Sequence, residues 1–488
     1  MAELAKRPFP PGEYPVVVVG SGPGGLQTSY SLSRRGVDHA VISADDSPGG
    51  MFRFFPIYQR LLSWTKPDAP CEPGTREYEW YDHNSLVGDV ADCQALVSRF
   101  MDRTYMVPSR AEMEQGMVAF AERAGVHVRY GCRWEGTRRE DDGTLVLSTT
   151  DGEYRCKVAV FAIGVTTPWK SPIAGIEHVP HYAEAKAPQE YKGRRVFVIG
   201  KRNSGFEVAD GLLPWASQII LGSPRPVQTA VLAQSSIRVR YLQPLEDHAL
   251  GGGTLALDAA IERIERRDGG FRIVAEGTTR PGRLELDVDD VIAATGFSAP
   301  LLDLPDLGVA TVAQGRIPAL TPFWESEPGS GIFFAGNATQ GAAGLRKHGV
   351  GSSSPAVHGF RYNAKVMARY IAERLGMPLE RERVDRDELG AYLAWELTWS
   401  PELWAQKAYL ARVVGPEGEA EILPLAHWLD HAEETSVAAT IELNDKGEIY
   451  PVVYAARRGG EVAEHVLEPA LLQNYTADEY RRRLDQLA

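Results

Sequence analysis

Glycines 20, 22 and 25, in the run Gly20-Ser21-Gly22-Pro23-Gly24-Gly25, have the spacing with which a backbone cradles a pyrophosphate. Gly20 permits the sharp bend, Gly22 lets a phosphate approach the main chain, and Gly25 lets the following helix pack on the preceding strand. Ser21, Pro23 and Gly24 complete the loop, leaving the free N–H groups and positive end of that helix to face the anion. A second turn of the same kind is Gly200-Lys201-Arg202-Asn203-Ser204-Gly205, with Arg202 at the middle glycine's place. Its side chain holds a phosphate farther out, and its guanidinium is itself a phosphate donor. The spacing predicts two dinucleotide sites, the second altered but working.

Each turn needs a buried strand before it and a helix after it. Residues 15–19, PVVVV, are apolar at consecutive positions, as in a parallel strand covered on both faces. Upstream of the second turn, GRRVFVIG (193–200) is another such strand, and FEVADGLL is the helix that follows. ASQIILGSPRP (216–226) supplies the next strand, whose tip carries Arg225. That arginine is either a bidentate contact for a 2′-phosphate or a solvated loop cation.

In the first unit, the strand HAVIS ends at Ser43 where an acid would bond the adenosine ribose, with Asp45 and Asp46 just beyond. Either the serine serves or an aspartate reaches round. Pro48-Gly49-Gly50-Met51 then resembles the turn that carries a backbone past a flavin, which points to FAD here. Strands 158–164, ending at Gly164, and 289–297 suit the same FAD fold, as does GIFFAGN, ending at Gly336-Asn337. Asn337 keeps hydrogen-bonding capacity toward the ribityl and phosphate groups. From about Ser354 an amphipathic helix follows, with Pro355 in its first turn and Lys347 and His348 nearby.

The chain has 488 residues, enough for two or three domains, and a net charge of −13, which argues against nucleic acid or an anionic membrane as partner. It has no apolar run long enough to span a bilayer and no signal-peptide core, so a cytoplasmic location is expected. Its four cysteines, at 71, 93, 132 and 156, form no C-x-x-C pair, and no metal-ligand spacing appears, so no metal is expected.

With both turns in place, the chain resembles class B flavin monooxygenases. It is most similar to the FAD-dependent oxidoreductase family that includes bacterial amino-acid N-monooxygenases and an endoplasmic-reticulum flavoprotein. FPIYQRLLSWTKP (55–67), YEWYDHNSLVGD (78–89) and VHGFRYNAK (357–365) carry the match, which spans about residues 14–375. His181 stands at the histidine of the similar linker, followed by Tyr182.

The resemblance implies an α/β fold of two Rossmann-type domains, for FAD and NADPH; beyond it the residues themselves read as a small α+β C-terminal extension. The expected division is 1–165 and 290–376 for FAD, 166–289 for NADPH with a polar GGGTLALDAA turn region, and 377–488 for the extension. The extension should be helical and then β-rich, with a hairpin turn at Asn444-Asp445-Lys446-Gly447 and a final Tyr- and Arg-rich helix.

The implied activity is NADPH-dependent reduction of FAD, formation of a flavin C4a-hydroperoxide from O₂, and oxygenation of a small nucleophilic substrate. N-hydroxylation of an amino acid or amine leads. The alternatives are a reductase or oxidase without oxygen transfer, S-oxygenation, Baeyer–Villiger oxidation and halogenation. A non-catalytic FAD-binding scaffold is a further alternative. Asn84 resembles the asparagine near flavin C4a in flavin monooxygenases, though a turn-capping asparagine fits as well. His83 is read as a neighbouring acid/base or a satisfied loop histidine. Lys66, with Arg53 and Arg60, could bind a substrate carboxylate. Homodimerisation and a carrier-protein partner stay open.

Overall fold

The computed structural model of the protein describes residues 7–227, 253–344, 351–444, 446–457 and 460–487. Lys347, His348 and Asp445 lie outside the described residues. The chain divides into two compact units, one of Met1–Arg53, Ser63–Val165 and Ala299–Ala488, the other of Phe54–Leu62 and Thr166–Ser298.

In the first unit the four valines of Val16–Val19 form a fully buried strand. It pairs in parallel with His39–Ile42 on one side and Val158–Phe161 on the other, and Ile332–Phe334 completes the sheet. Burial on both faces is why the run is apolar at every position. The helices Pro23–Ser33 and Val357–Arg374 pack together beside this sheet. The second helix starts at Val357 with Ala356 as its cap, so Pro355 precedes it rather than sitting in its first turn. A second, four-stranded sheet runs in the order Gly12–Glu13, Gly152–Cys156, Leu145–Thr149, Trp134–Arg139. The helix Arg110–Arg123 opens on a capping box in which Ser109 and Glu112 exchange side-chain and backbone bonds. Such a cap stabilises a helix by about 1 kcal/mol.

The C-terminal region begins with the helices Leu389–Trp399 and Pro401–Ala405, broken at the proline. A six-stranded antiparallel sheet follows, in which Val437–Leu443 and Ile449–Ala456 form a hairpin. Its turn is held by Asn444, whose Oδ1 accepts from the Lys446 and Glu448 N–H groups. The chain closes with the helix Asp478–Leu487.

The second unit is a mixed sheet in the order Arg283–Val288, Gly270–Gly277, Thr254–Arg267, Gln218–Ser223, Arg195–Ile199, Asp290–Ala293. Two expectations are corrected here. Residues 254–260 are not a polar turn but the start of the 14-residue strand Thr254–Arg267, with Leu255, Leu257 and Ile261 packed on the sheet's apolar cluster. Its alternation of apolar and polar residues marks a strand with one face inward. Gly251 and Gly252 lie outside the described residues. The strand within 289–297 does not join the FAD-type sheet; Asp290–Ala293 pairs with Arg195–Ile199. A buried apolar strand ending in glycine suits either sheet, and its pattern names neither.

Candidate cofactor and active site

The first glycine turn sits where Val16–Val19 ends and Pro23–Ser33 begins. Gly20 adopts φ +115°, a region that favours glycine. A Cβ on Gly25 would stand 2.0 Å from the Gly20 carbonyl oxygen, and one on Gly24 would stand 2.5 Å from Gly336 Cα. Those two glycines close the helix onto the strand and onto the Gly336 turn. Gly22 differs: a Cβ there would meet only Gly50 Cα, at 3.7 Å. The space beside Gly22 is the cradle a pyrophosphate needs, so the residues fit FAD. The Gly49-Gly50 turn lies against it, with the Gly49 N–H donating to the Ser21 carbonyl at 3.1 Å. Met51 follows in the half-buried turn Gly50–Arg53.

Ser43 and Asp45 both serve the end of the second strand. Ser21 Oγ lies 2.9 Å from Ser43 Oγ and donates to Asp45 Oδ2 at 3.2 Å, and Ser43 Oγ reaches the same oxygen at 3.3 Å. Asp45 thus turns back beside the glycine turn, while Asp46 pairs with Arg53. Gly336, at φ +70°, opens a 3-10 turn with Asn337 next in line, and Gly164 follows the Val158–Phe161 strand at φ +72°.

The loop 63–85 carries the other named residues. Asn84 is buried, and its Nδ2 donates to the Ser63 carbonyl and to Thr65 Oγ1, each at 2.9 Å. Both amide hydrogens are spent on the loop, so Asn84 fastens it. His83 stacks on His358 with centroids 4.3 Å apart and also meets Trp64 at 4.9 Å. Lys66 is exposed, and among the described residues no carboxylate pairs with it. Arg53 is engaged with Asp46 and Glu114.

Sequence reading missed what holds this loop. Arg361, 2% exposed, donates to the Asp82, Ser85 and Glu79 carbonyls, and its neighbour Tyr362 donates to Glu79 Oε2 at 2.7 Å. Burial pushes the Glu79 carboxyl up, against the pull of Lys365 and Arg361. The signal was the FRYN run itself, since an arginine inside an otherwise apolar helix face needs partners.

In the second unit, Gly200 adopts φ +124°, and a Cβ on it would lie 2.5 Å from the Ala294 carbonyl oxygen. A Cβ on Gly205 would lie 2.3 Å from the Gly200 carbonyl oxygen, so strand and helix meet as closely as in the first turn. Arg202 caps the helix Asn203–Leu212 in extended geometry that any residue adopts, its side chain exposed. The turn is therefore formed despite the missing glycine, with Asn203 and Ser204 in the first helical turn. Arg225 is exposed just beyond Gln218–Ser223. Lys201, by contrast, is buried and paired with Asp258.

One turn into that helix, Glu207 accepts from Tyr182 Oη at 2.5 Å and from the Tyr58 N–H at 2.9 Å. His181 is fully buried; its Nδ1 accepts from the Ala183 N–H at 3.1 Å and Nε2 faces the Gly296 carbonyl at 2.8 Å. Burial lowers its pKa, which suits this neutral ring.

Two units, each with parallel strands and a glycine turn that closes a strand onto a helix, define a two-dinucleotide-binding flavoprotein. Residues 17–336 match the pyridine nucleotide-disulphide oxidoreductase family, and the chain belongs to it. FAD and NADPH are the cofactors of this family. The chain is 26% identical over 416 residues to FAD-dependent oxidoreductase domain-containing protein 2 of Danio rerio, covering 73% of this chain and 58% of that protein. The chain therefore spans little more than half the length of that relative. A ferredoxin–NADP reductase of Salinispora tropica is 27% identical over 359 residues, covering 71% of this chain and 93% of the reductase. Among solved structures, a cadaverine monooxygenase of Erwinia amylovora has a TM-score of 0.58 at 16% identity, covering 76% of this chain and 97% of that one.

Proposed function

We propose that this oxidoreductase is an NADPH-dependent FAD monooxygenase that transfers one atom of O₂ to a small nucleophilic substrate, foremost the nitrogen of an amine or amino acid. The observation that carries this reading is the state of the cysteines. All four thiols are free, and Cys93, Cys132 and Cys156 are buried. Burial pushes Cys156 up to about 12 and also raises Cys93 and Cys71. Dithiol exchange needs a thiolate of lowered pKa, so disulfide reduction has no reactive pair here. Oxygen transfer needs no protein nucleophile.

Bound FAD supplies the reactive chemistry. The chain's own part is to hold it through the Gly20–Gly25 turn, Ser43, Asp45 and Gly336, and to present NADPH through Gly200–Gly205 and Arg225. In this reading His83, stacked on His358 in the loop that Arg361 and Asn84 fix, serves as a proton-handling group for the substrate. The fold admits nitrogen oxygenation, since the cadaverine monooxygenase shares it.

The ferredoxin–NADP reductase relative favours a second reading, electron transfer without oxygenation. The deciding experiment supplies NADPH, ¹⁸O₂ and a panel of amines, amino acids and thioethers, and compares product mass with H₂O₂ released. Product carrying one ¹⁸O with little H₂O₂ supports the monooxygenase. Rapid reduction of an added one-electron acceptor, with full H₂O₂ release in its absence and no labelled product, supports the reductase.

A further inference from the structure

The C-terminal region grips the 63–85 loop partway along it. Arg76, which precedes the 3-10 turn Glu77–Tyr81, donates from both terminal nitrogens to Glu396, at 2.8 and 3.0 Å. It also reaches Ser400 Oγ at 3.0 Å and Glu402 Oε2 at 2.9 Å. Glu396 takes a further bond from Arg412 Nε at 3.0 Å, and Ser400 Oγ donates to Glu402 at 3.0 Å. Glu396, Ser400, Glu402 and Arg412 are all buried members of the C-terminal region, and Arg76 is what the loop contributes to the cluster. Burial pushes the Glu402 carboxyl up, but Arg76, Lys365 and Arg412 outweigh it and hold the group down to about 2. At the other end of the same turn, Trp80 meets the Trp404 ring edge to face, centroids 4.5 Å apart, and packs on the C-terminal core.

The turn held in this way carries the loop's chemistry-bearing residues. The Lys66 N–H donates to the Tyr81 carbonyl at 2.8 Å, and Tyr78 Oη donates to the Lys66 carbonyl at 3.1 Å. Thr65 Oγ1 donates to Asp82 Oδ1 at 2.9 Å, and the His83 N–H to the Trp64 carbonyl at 3.3 Å. Lys66 and His83 therefore follow wherever residues 77–82 are set. A planar guanidinium forked onto buried carboxylates fixes direction as well as distance. Buried ion pairs add little net stability over apolar packing, so what this one supplies is a defined geometry.

We propose that the C-terminal region is a positioning element for the loop, with Arg76 as the positioning residue through which it places Lys66 and His83. That His83 serves the substrate rests on the monooxygenase reading; that Arg76 places it does not.

The test uses the FAD-loaded full chain with ¹³C-labelled histidine rings, H83Q and H181Q to assign those two resonances, and R76M/E402Q. The double variant removes one cation and one carboxylate together and leaves Glu396 with Arg412, so no buried charge is stranded. Bound-flavin absorbance reports that it is folded; if flavin is lost, R76K takes its place, keeping the charge but not the fork. The His83 resonance should shift and broaden while that of His181 stays. The share of consumed NADPH recovered as oxygenated product, on whichever amine of the panel the parent oxygenates, should fall at least about tenfold with the rate of flavin reduction unchanged. A His83 resonance that stays in place overturns the proposal, whatever the product yield. A moved resonance with undiminished product sustains placement by Arg76 and instead sinks the role given to His83. If the parent itself yields no oxygenated product, the monooxygenase reading falls and the resonance still decides.

Discussion

Arg361 donates from one guanidinium nitrogen to the backbone carbonyls of both Asp82 and Ser85, each at 2.7 Å. One buried cation thereby sets the turn that carries His83 and Asn84. Removing it leaves three carbonyls and the Glu79–Tyr362 pair without their donor. We expect Arg361→Met to destabilise the protein by about 3–5 kcal/mol, read as a lowered denaturation midpoint with loss of bound FAD. A midpoint within about 1 kcal/mol of the parent's would show that the loop is set by something else.

The two inner glycines of the first turn should behave differently. Gly24→Ala drives a methyl into Gly336, at 2.5 Å from its Cα, and should prevent the first unit from folding. Gly22→Ala meets only Gly50 at 3.7 Å, so the protein should fold normally while FAD affinity drops at least about tenfold. Far-ultraviolet dichroism and flavin titration separate these outcomes. Normal FAD binding by G22A would mean the cradle lies elsewhere.

Arg202→Gly restores the usual glycine and removes a cation. If Arg202 serves the pyrophosphate, NADPH affinity should fall by about tenfold, the value of a charged hydrogen bond. Tighter NADPH binding by R202G would make the arginine an obstruction.

His181 links the second unit to pH. Burial holds its folded pKa below the usual 6.5, because a protonated ring would lose the bond it accepts from Ala183. Below about 6.5 the unfolded chain takes up a proton that the folded chain refuses. The contribution is complete above that pH and is lost as pH falls through the lower folded value. Denaturant melts across pH 7 to 4.5 should show His181→Gln flattening this acid limb; an unchanged slope counts against the assignment.

Much of this was legible along the chain. The Gly20–Gly25 turn announced itself because three glycines, a valine strand and a helix lie within about twenty consecutive residues, all local signals. Gly200–Gly205 was legible despite Arg202, since Gly205 and the helix after it survived. For Asn84 the residue type allowed a loop-capping role, but its partners Ser63 and Thr65, across the loop, were not legible. Gln406 meets Ser354, 52 positions away, through a C-terminal region with no motif to flag it. The strand Asp290–Ala293 was found, but its partner was misassigned, because pairing is set by topology rather than by pattern.

The central claim is that both turns work, so that NADPH delivers hydride to FAD held by the same chain. Anaerobic stopped-flow mixing of FAD-loaded protein with NADPH measures this directly, following flavin absorbance near ~450 nm. The account predicts complete bleaching within seconds, with NADPH outpacing NADH if Arg225 meets the 2′-phosphate. Flavin that stays oxidised under NADPH while dithionite reduces it would contradict the account and leave the Arg202 turn without a nicotinamide cofactor.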